Sequence, residues 1–140
     1  MESRREFLKQ AGTLGVVAAC GGLPVLLEGC LPVPYVESIR KGRTLEVSLL
    51  SFEDGNRIYV KHPEFKAPIL IQKSSEIEYS ALLMICTHKG CRPRAAEFSL
   101  KCPCHGSRFD LNGKVLRGPA EKHLPSFPVN LNVDQLVISI

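Results

Sequence analysis

"CTHKGC" at residues 86–91 and "CPCHGS" at residues 102–107 decide how the rest of the chain is read. Four of the six cysteines and two of the four histidines fall in these two loops, which marks them as a joint site. Cys86 and His88 are separated by one residue and Cys102 and His105 by two, with residues 89–101 lying between the pairs. Two thiolates and two imidazoles complete the ligand set of either of two objects. One is a tetrahedral zinc; the other is a two-iron cluster with cysteines on one iron and histidines on the other. Gly90 and Gly106 let the backbone turn tightly and approach a metal closely. Cys91 and Cys104 read as occupying equivalent places in the two loops, and a zinc closed by four ligands has no use for them.

Around the loops the pattern is that of short strands. "TLEVSLLSF" (44–52) alternates Leu45, Val47 and Leu49 with polar neighbours, "EDGN" (53–56) is a turn, and "RIYVKH" (57–62) returns, which predicts a hairpin. "APILIQK" (67–73) and "IEYSALLMIC" (77–86) predict two more strands, the second leading directly into Cys86. "GKVLRG" (113–118) and "LNVDQLVISI" (131–140) follow, the last with Leu136, Ile138 and Ile140 in alternation. No segment carries a sustained helical period and no internal repeat is present. Ten prolines and eleven glycines in 140 residues end regular elements often, which again favours a mostly β chain. That length allows one domain and an appendage. A net charge of +4 and 6% aromatic residues offer neither a strong phosphate-binding field nor a base-stacking platform, so nucleic acid is set aside.

The start of the chain reads as a targeting segment. Arg4, Arg5 and Lys9 precede an uncharged run from Gln10 to Leu27, the order of an n-region and an h-region. "SRREFLK" (3–9) resembles a twin-arginine export motif, a signal for proteins that cross a membrane already folded and commonly loaded with a cofactor. The uncharged run is at the short limit for a spanning helix and is interrupted by Gly21, Gly22 and Pro24. Cys20 and Cys30 each end a stretch similar to a lipoprotein cleavage site, so lipidation is a second way to tether the chain. The expected organisation is a signal or membrane-anchor helix over 1–30, a linker over 31–42 that Pro32 and Pro34 keep extended, and a β domain over 43–140.

C-x-H-x-G-C followed by C-P-C-H-G-S resembles the Rieske iron–sulfur proteins, in particular the disulfide-bearing branch of cytochrome bc complexes. The resemblance covers 43–140 in layout and 86–119 in motif detail. It implies an antiparallel β sandwich with a small cluster-binding subdomain at about 84–120, holding a 2Fe-2S cluster. It further implies that Cys86 and Cys102 bind the buried iron, His88 and His105 the outer iron, and that Cys91 and Cys104 form a disulfide. Ser107 matches the serine that donates a hydrogen bond to a cluster sulfur, and Gly118 and Pro119 match the loop that covers the cluster. Neutral histidines in place of thiolates make such a cluster easier to reduce. In the family, one outer histidine accepts a hydrogen bond from quinol, and the linker lets the domain carry the electron to a cytochrome.

The function implied is one-electron transfer as the iron–sulfur subunit of a quinol–cytochrome c oxidoreductase on the bacterial inner membrane. Its domain would lie on the periplasmic face, with cytochrome b and a c-type cytochrome as partners. Two residues depart from the family pattern. Lys89 stands where an apolar residue is usual, which adds a desolvation cost in a quinol pocket. Phe109 stands where a tyrosine is usual, so no hydroxyl there reaches the Cys86 sulfur. The alternatives are the small Rieske subunit of an exported oxidoreductase such as arsenite oxidase, with a molybdopterin partner subunit; a ferredoxin feeding a dioxygenase; and a zinc module without redox activity. Lys89, Arg92, Arg94, Lys101 and Arg108, opposed only by Glu97, form either a basic docking face for an acidic acceptor or a solvated rim. His62 and His123 have no ligand partner at suitable spacing and read as surface or core histidines.

Overall fold

The structure is a computed structural model and describes residues 32–53 and 55–140. The expected export signal, its anchor helix and Cys20 and Cys30 lie outside the described residues. Pro32–Ile140 form one compact unit.

Thirteen short strands make up this unit: β1 (Tyr35–Val36), β2 (Ile39–Lys41), β3 (Thr44–Ser48), β4 (Arg57–Val60), β5 (Ile69–Lys73), β6 (Tyr79–Leu83), β7 (Arg94–Ala95), β8 (Leu100–Lys101), β9 (Arg108–Phe109), β10 (Val115–Arg117), β11 (Ser126–Phe127), β12 (Val129–Leu131) and β13 (Gln135–Ser139). They form a five-stranded sheet, β1-β4-β5-β6-β11, and two four-stranded sheets, β12-β13-β3-β2 and β10-β9-β8-β7. All pairs are antiparallel except β1 with β4.

The first two sheets close a sandwich. Leu45, Val47, Leu136 and Ile138 from one meet Ile58, Val60, Ile69, Ile71, Ala81 and Leu83 from the other, all buried. Each such aliphatic side chain contributes about 1.5–3 kcal/mol of transfer free energy. The alternation in β3 and β13 is what a strand with one wet face requires. β5 and β6 lack it because their other face is covered too: Leu70 and Leu82 join Met84, Leu100, Phe109 and Leu124 in a second core beneath the cysteine loops. The five-stranded sheet is therefore the shared wall between the sandwich and the third sheet.

Three strand expectations are corrected. The 44–52/57–62 hairpin does not form: Leu49–Phe52 is a 3-10 turn, capped by the Ser48 hydroxyl accepting from the Leu50 N–H. β3 and β4 consequently enter different sheets, β3 beside β13 and β4 beside β5. Residues 131–140 are not one strand, because Asn132 closes a turn onto Gln135 (N–H to O, 2.9 Å) and separates β12 from β13. Part of the stretch read as a linker is tied into both sandwich sheets, with Tyr35 opposite Tyr59 and Ile39 opposite Glu46.

Candidate metal centre

β6 ends at Leu83, and Met84 and Ile85 carry the chain to the first cysteine loop; β8 ends at Lys101 and opens the second. The two loops close in the same way. The N–H of Cys86 donates to Cys91 O at 2.8 Å, and that of Gly90 to Cys86 O at 2.8 Å. In the second loop Cys102 N–H donates to Ser107 O at 2.8 Å, and Gly106 N–H to Cys102 O at 3.1 Å. Gly90 and Gly106 sit at φ +75° and +77°, the left-handed conformation that a side chain at either position would strain. This shared backbone corrects the equivalence read from sequence. Cys91 takes the place of Ser107, Cys104 that of His88, and Lys89 that of His105.

Cys91 and Cys104 are joined as a disulfide with Cα atoms 6.4 Å apart, so it locks one loop to the other. Cys86 and Cys102 are free and buried. Burial pushes the Cys102 thiol above its ordinary value of 9.0, and the thiol of Cys86 beside it adds to the rise, while backbone N–H groups of Cys104 and His105 pull the other way. The imidazoles of His88 and His105 stand edge to face with centroids 4.7 Å apart. His105 is exposed, whereas His88 is half-buried with its Nδ1 enclosed and without a hydrogen-bond partner. The Sγ of Cys102 lies within 4.8 Å of both disulfide sulfurs, which are already spent on each other.

The donor set left for a metal is two buried thiols and two imidazoles, one of them presenting an enclosed, unpaired nitrogen. A buried ring nitrogen with no partner costs free energy unless something binds it. Thiolate and imidazole ligands together suit zinc or iron–sulfur chemistry. The residues present therefore fit a 2Fe-2S cluster with two cysteine and two histidine ligands.

Several side-chain hydrogen bonds tie the cysteine loops and the segments next to them to distant parts of the chain. Ser107 is fully buried, and its hydroxyl oxygen accepts the N–H of Ala120 at 3.0 Å, just past Gly118 and Pro119, which are joined by a cis peptide bond. Its own O–H remains available to donate. The Thr87 hydroxyl donates to Lys122 O. Arg57 on β4 donates to the carbonyls of Ala96 and Glu97 at 2.6 and 2.7 Å, and Gln72 on β5 donates to Leu111 O. Sequence reading missed Thr87, Arg57 and Gln72, whose partners lie 35 to 40 residues away with no local signal. Phe109 is fully buried in the core that contains Cys86 and Cys102.

His62 is buried, packs against Phe65 in a tilted arrangement with ring centroids 5.0 Å apart, and accepts the Glu64 N–H at Nδ1. His123 accepts the Val115 N–H at 3.2 Å. Lys89 is exposed. Arg92, one of the basic residues singled out from sequence, lies over the rings of Tyr59 and Tyr35, at 4.8 and 5.5 Å.

Residues 31–128 match the Rieske [2Fe-2S] domain family. The chain is 30% identical to a ubiquinol–cytochrome c reductase iron–sulfur subunit of Bradyrhizobium diazoefficiens, over 90% of this chain and 88% of that protein. It is 40% identical to cytochrome b6-f complex iron–sulfur subunit 1 of Nostoc sp. over 73 residues, 51% of this chain and 41% of that one, so it spans less than half of that relative. Among solved structures, the plasma-membrane Rieske protein of Synechocystis PCC 6803 aligns with TM-score 0.58 at 26% identity, over 66% of this chain and 95% of that one.

Proposed function

The chain belongs to the Rieske [2Fe-2S] family, and from that premise we propose that it is the iron–sulfur subunit of a membrane-bound bc-type quinol–cytochrome c oxidoreductase. The family cofactor is a 2Fe-2S cluster, which when bound takes up and gives back one electron at a time. Cys86 and Cys102 are the residues we assign to the inner iron, and His88 and His105 to the outer one. The observation that carries this assignment is the enclosed, unpaired Nδ1 of His88 beside His105, on the same two loops that carry two buried free thiols.

The other residues act on this centre without binding it. The Cys91–Cys104 disulfide holds the loops together, Ser107 offers a hydroxyl proton toward a cluster sulfur, and the Gly118–Pro119 loop covers one side. Exposed His105 gives electrons and protons a route to the surface. Placement on the periplasmic face, with cytochrome b and a c-type cytochrome as partners, is supported by the relatives named for cytochrome b6-f and ubiquinol–cytochrome c reductase complexes. They favour this reading over a small subunit beside a molybdopterin protein.

The test is metal analysis and low-temperature EPR of the reduced protein, followed by purification with its membrane partners. Iron with acid-labile sulfide, a Rieske-type signal and a co-purifying cytochrome b are expected. Stoichiometric zinc with no signal overturns the cluster, and a co-purifying molybdopterin subunit overturns the bc assignment.

A further inference from the structure

The third sheet carries a row of like charges on paired strand positions. Arg94 on β7 is paired with Lys101 on β8, Lys101 with Arg108 on β9, and Arg108 with Arg117 on β10. With strands about 4.8 Å apart, the row is about 14 Å long. On the opposite face the paired residues are Ala95, Leu100, Phe109 and Val115, all packed into the core beneath.

Like charges directly opposite on neighbouring strands are destabilising, so an uncompensated row is a cost to the fold. All four side chains are exposed, and among the described residues none of them has a salt-bridge or hydrogen-bond partner. Among the described residues Asp110, Glu97 and Glu121 form no ion pair with them, and Asp110 accepts the N–H groups of Asn112 and Lys114 at 2.9 and 2.8 Å. A register shift between Val115 and Arg117 completes the row, because without it Leu116 would oppose Arg108. Leu116 is left 60% exposed beside the cations. Lys101 and Arg108 directly flank the second cysteine loop, so the row borders the metal centre.

We propose that Arg94, Lys101, Arg108 and Arg117 form a docking rail for the acidic face of a protein electron-transfer partner. This rests on the electron-transfer reading above. The fixed spacing of the cations suits carboxylates spaced by a turn of helix or by neighbouring strands, and exposed Leu116 adds the apolar contact that protein interfaces use. Arg117 belongs to the rail although it lies outside the basic stretch visible in sequence, and Arg92 does not.

The test uses the full-length holo-protein and a ten-residue polyglutamate peptide, with affinity measured by calorimetry at low and at physiological salt. Arg94→Gln/Arg117→Gln neutralises the two ends of the rail, away from the ligand loops. Lys61→Gln/Lys66→Gln removes the same charge from other exposed positions. The rail variant is expected to weaken low-salt binding about tenfold and the control less than about twofold. Equal weakening by both variants overturns the rail, since net charge then explains the binding. Absence of peptide binding together with binding to vesicles of 30% phosphatidylglycerol also overturns it, in favour of a membrane surface. An intact cluster EPR signal in each sample makes either result a failure of the rail alone; a wild-type holo-preparation without that signal is a failure of the electron-transfer reading.

Discussion

The hydroxyl of Ser107 accepts the backbone N–H of Ala120 at 3.0 Å, so one fully buried side chain pins the Gly118–Pro119 loop against the second cysteine loop. That bond occupies an acceptor site and leaves the O–H proton directed by whatever acceptor lies in the centre.

Replacing this serine therefore removes two functions at once. Ser107→Ala leaves a buried N–H unpaired and is expected to lower stability by about 1–3 kcal/mol in a denaturant titration. With the O–H gone, the reduced cluster loses a stabilising donor and the midpoint potential falls. A variant with unchanged stability and unchanged potential would show that Ser107 braces neither the loop nor the cluster.

Cys91→Ser/Cys104→Ser opens a cross-link between residues 13 apart in sequence. Loop-closure entropy for such a length is about 3 kcal/mol, and the apo-protein is expected to lose about that much in chemical denaturation. In the holo-protein the metal still ties the same loops, so there the loss appears chiefly as faster release of iron to a chelator. Equal chelation rates with and without the disulfide would sink its role as a clamp.

Phe109→Tyr adds a hydroxyl to a fully buried ring packed in the core with Cys86. A donor to the Cys86 sulfur stabilises the reduced, more negative cluster, so the midpoint potential is expected to rise in a redox titration. No rise, in a variant whose melting temperature shows that the core accepts the hydroxyl, would place the ring elsewhere.

The raised thiol of Cys102 gives the apo-protein a pH dependence of definite sign. Burial makes the folded chain hold this proton more tightly than the unfolded chain does. Its stabilising contribution is therefore complete below the ordinary value of 9.0 and is lost as pH rises above it. Melting temperatures of the apo-protein should fall above about pH 9 more steeply than those of the holo-protein, in which the proposed assignment makes Cys102 a bound thiolate on either side of that value. Parallel curves would remove Cys102 as the cause.

The sequence alone determined the class of the fold and the grouping of cysteines and histidines into two short loops, because these depend on local features. Alternating apolar residues mark β3 and β13, glycines mark the tight turns, and cysteine and histidine side chains carry their chemistry wherever they are placed. The same local view misjudged the two loops, treating Cys91 and Cys104 as equivalent when the backbone hydrogen bonds align Cys91 with Ser107. Only the tertiary structure decided that β3 and β4 part into different sheets, that Arg57 reaches Ala96 and Glu97, and that Arg117 joins Arg94, Lys101 and Arg108 in one row. Those outcomes depend on register and on contacts between distant segments. Such contacts are selected by the burial of whole faces, which no short stretch of residues encodes by itself.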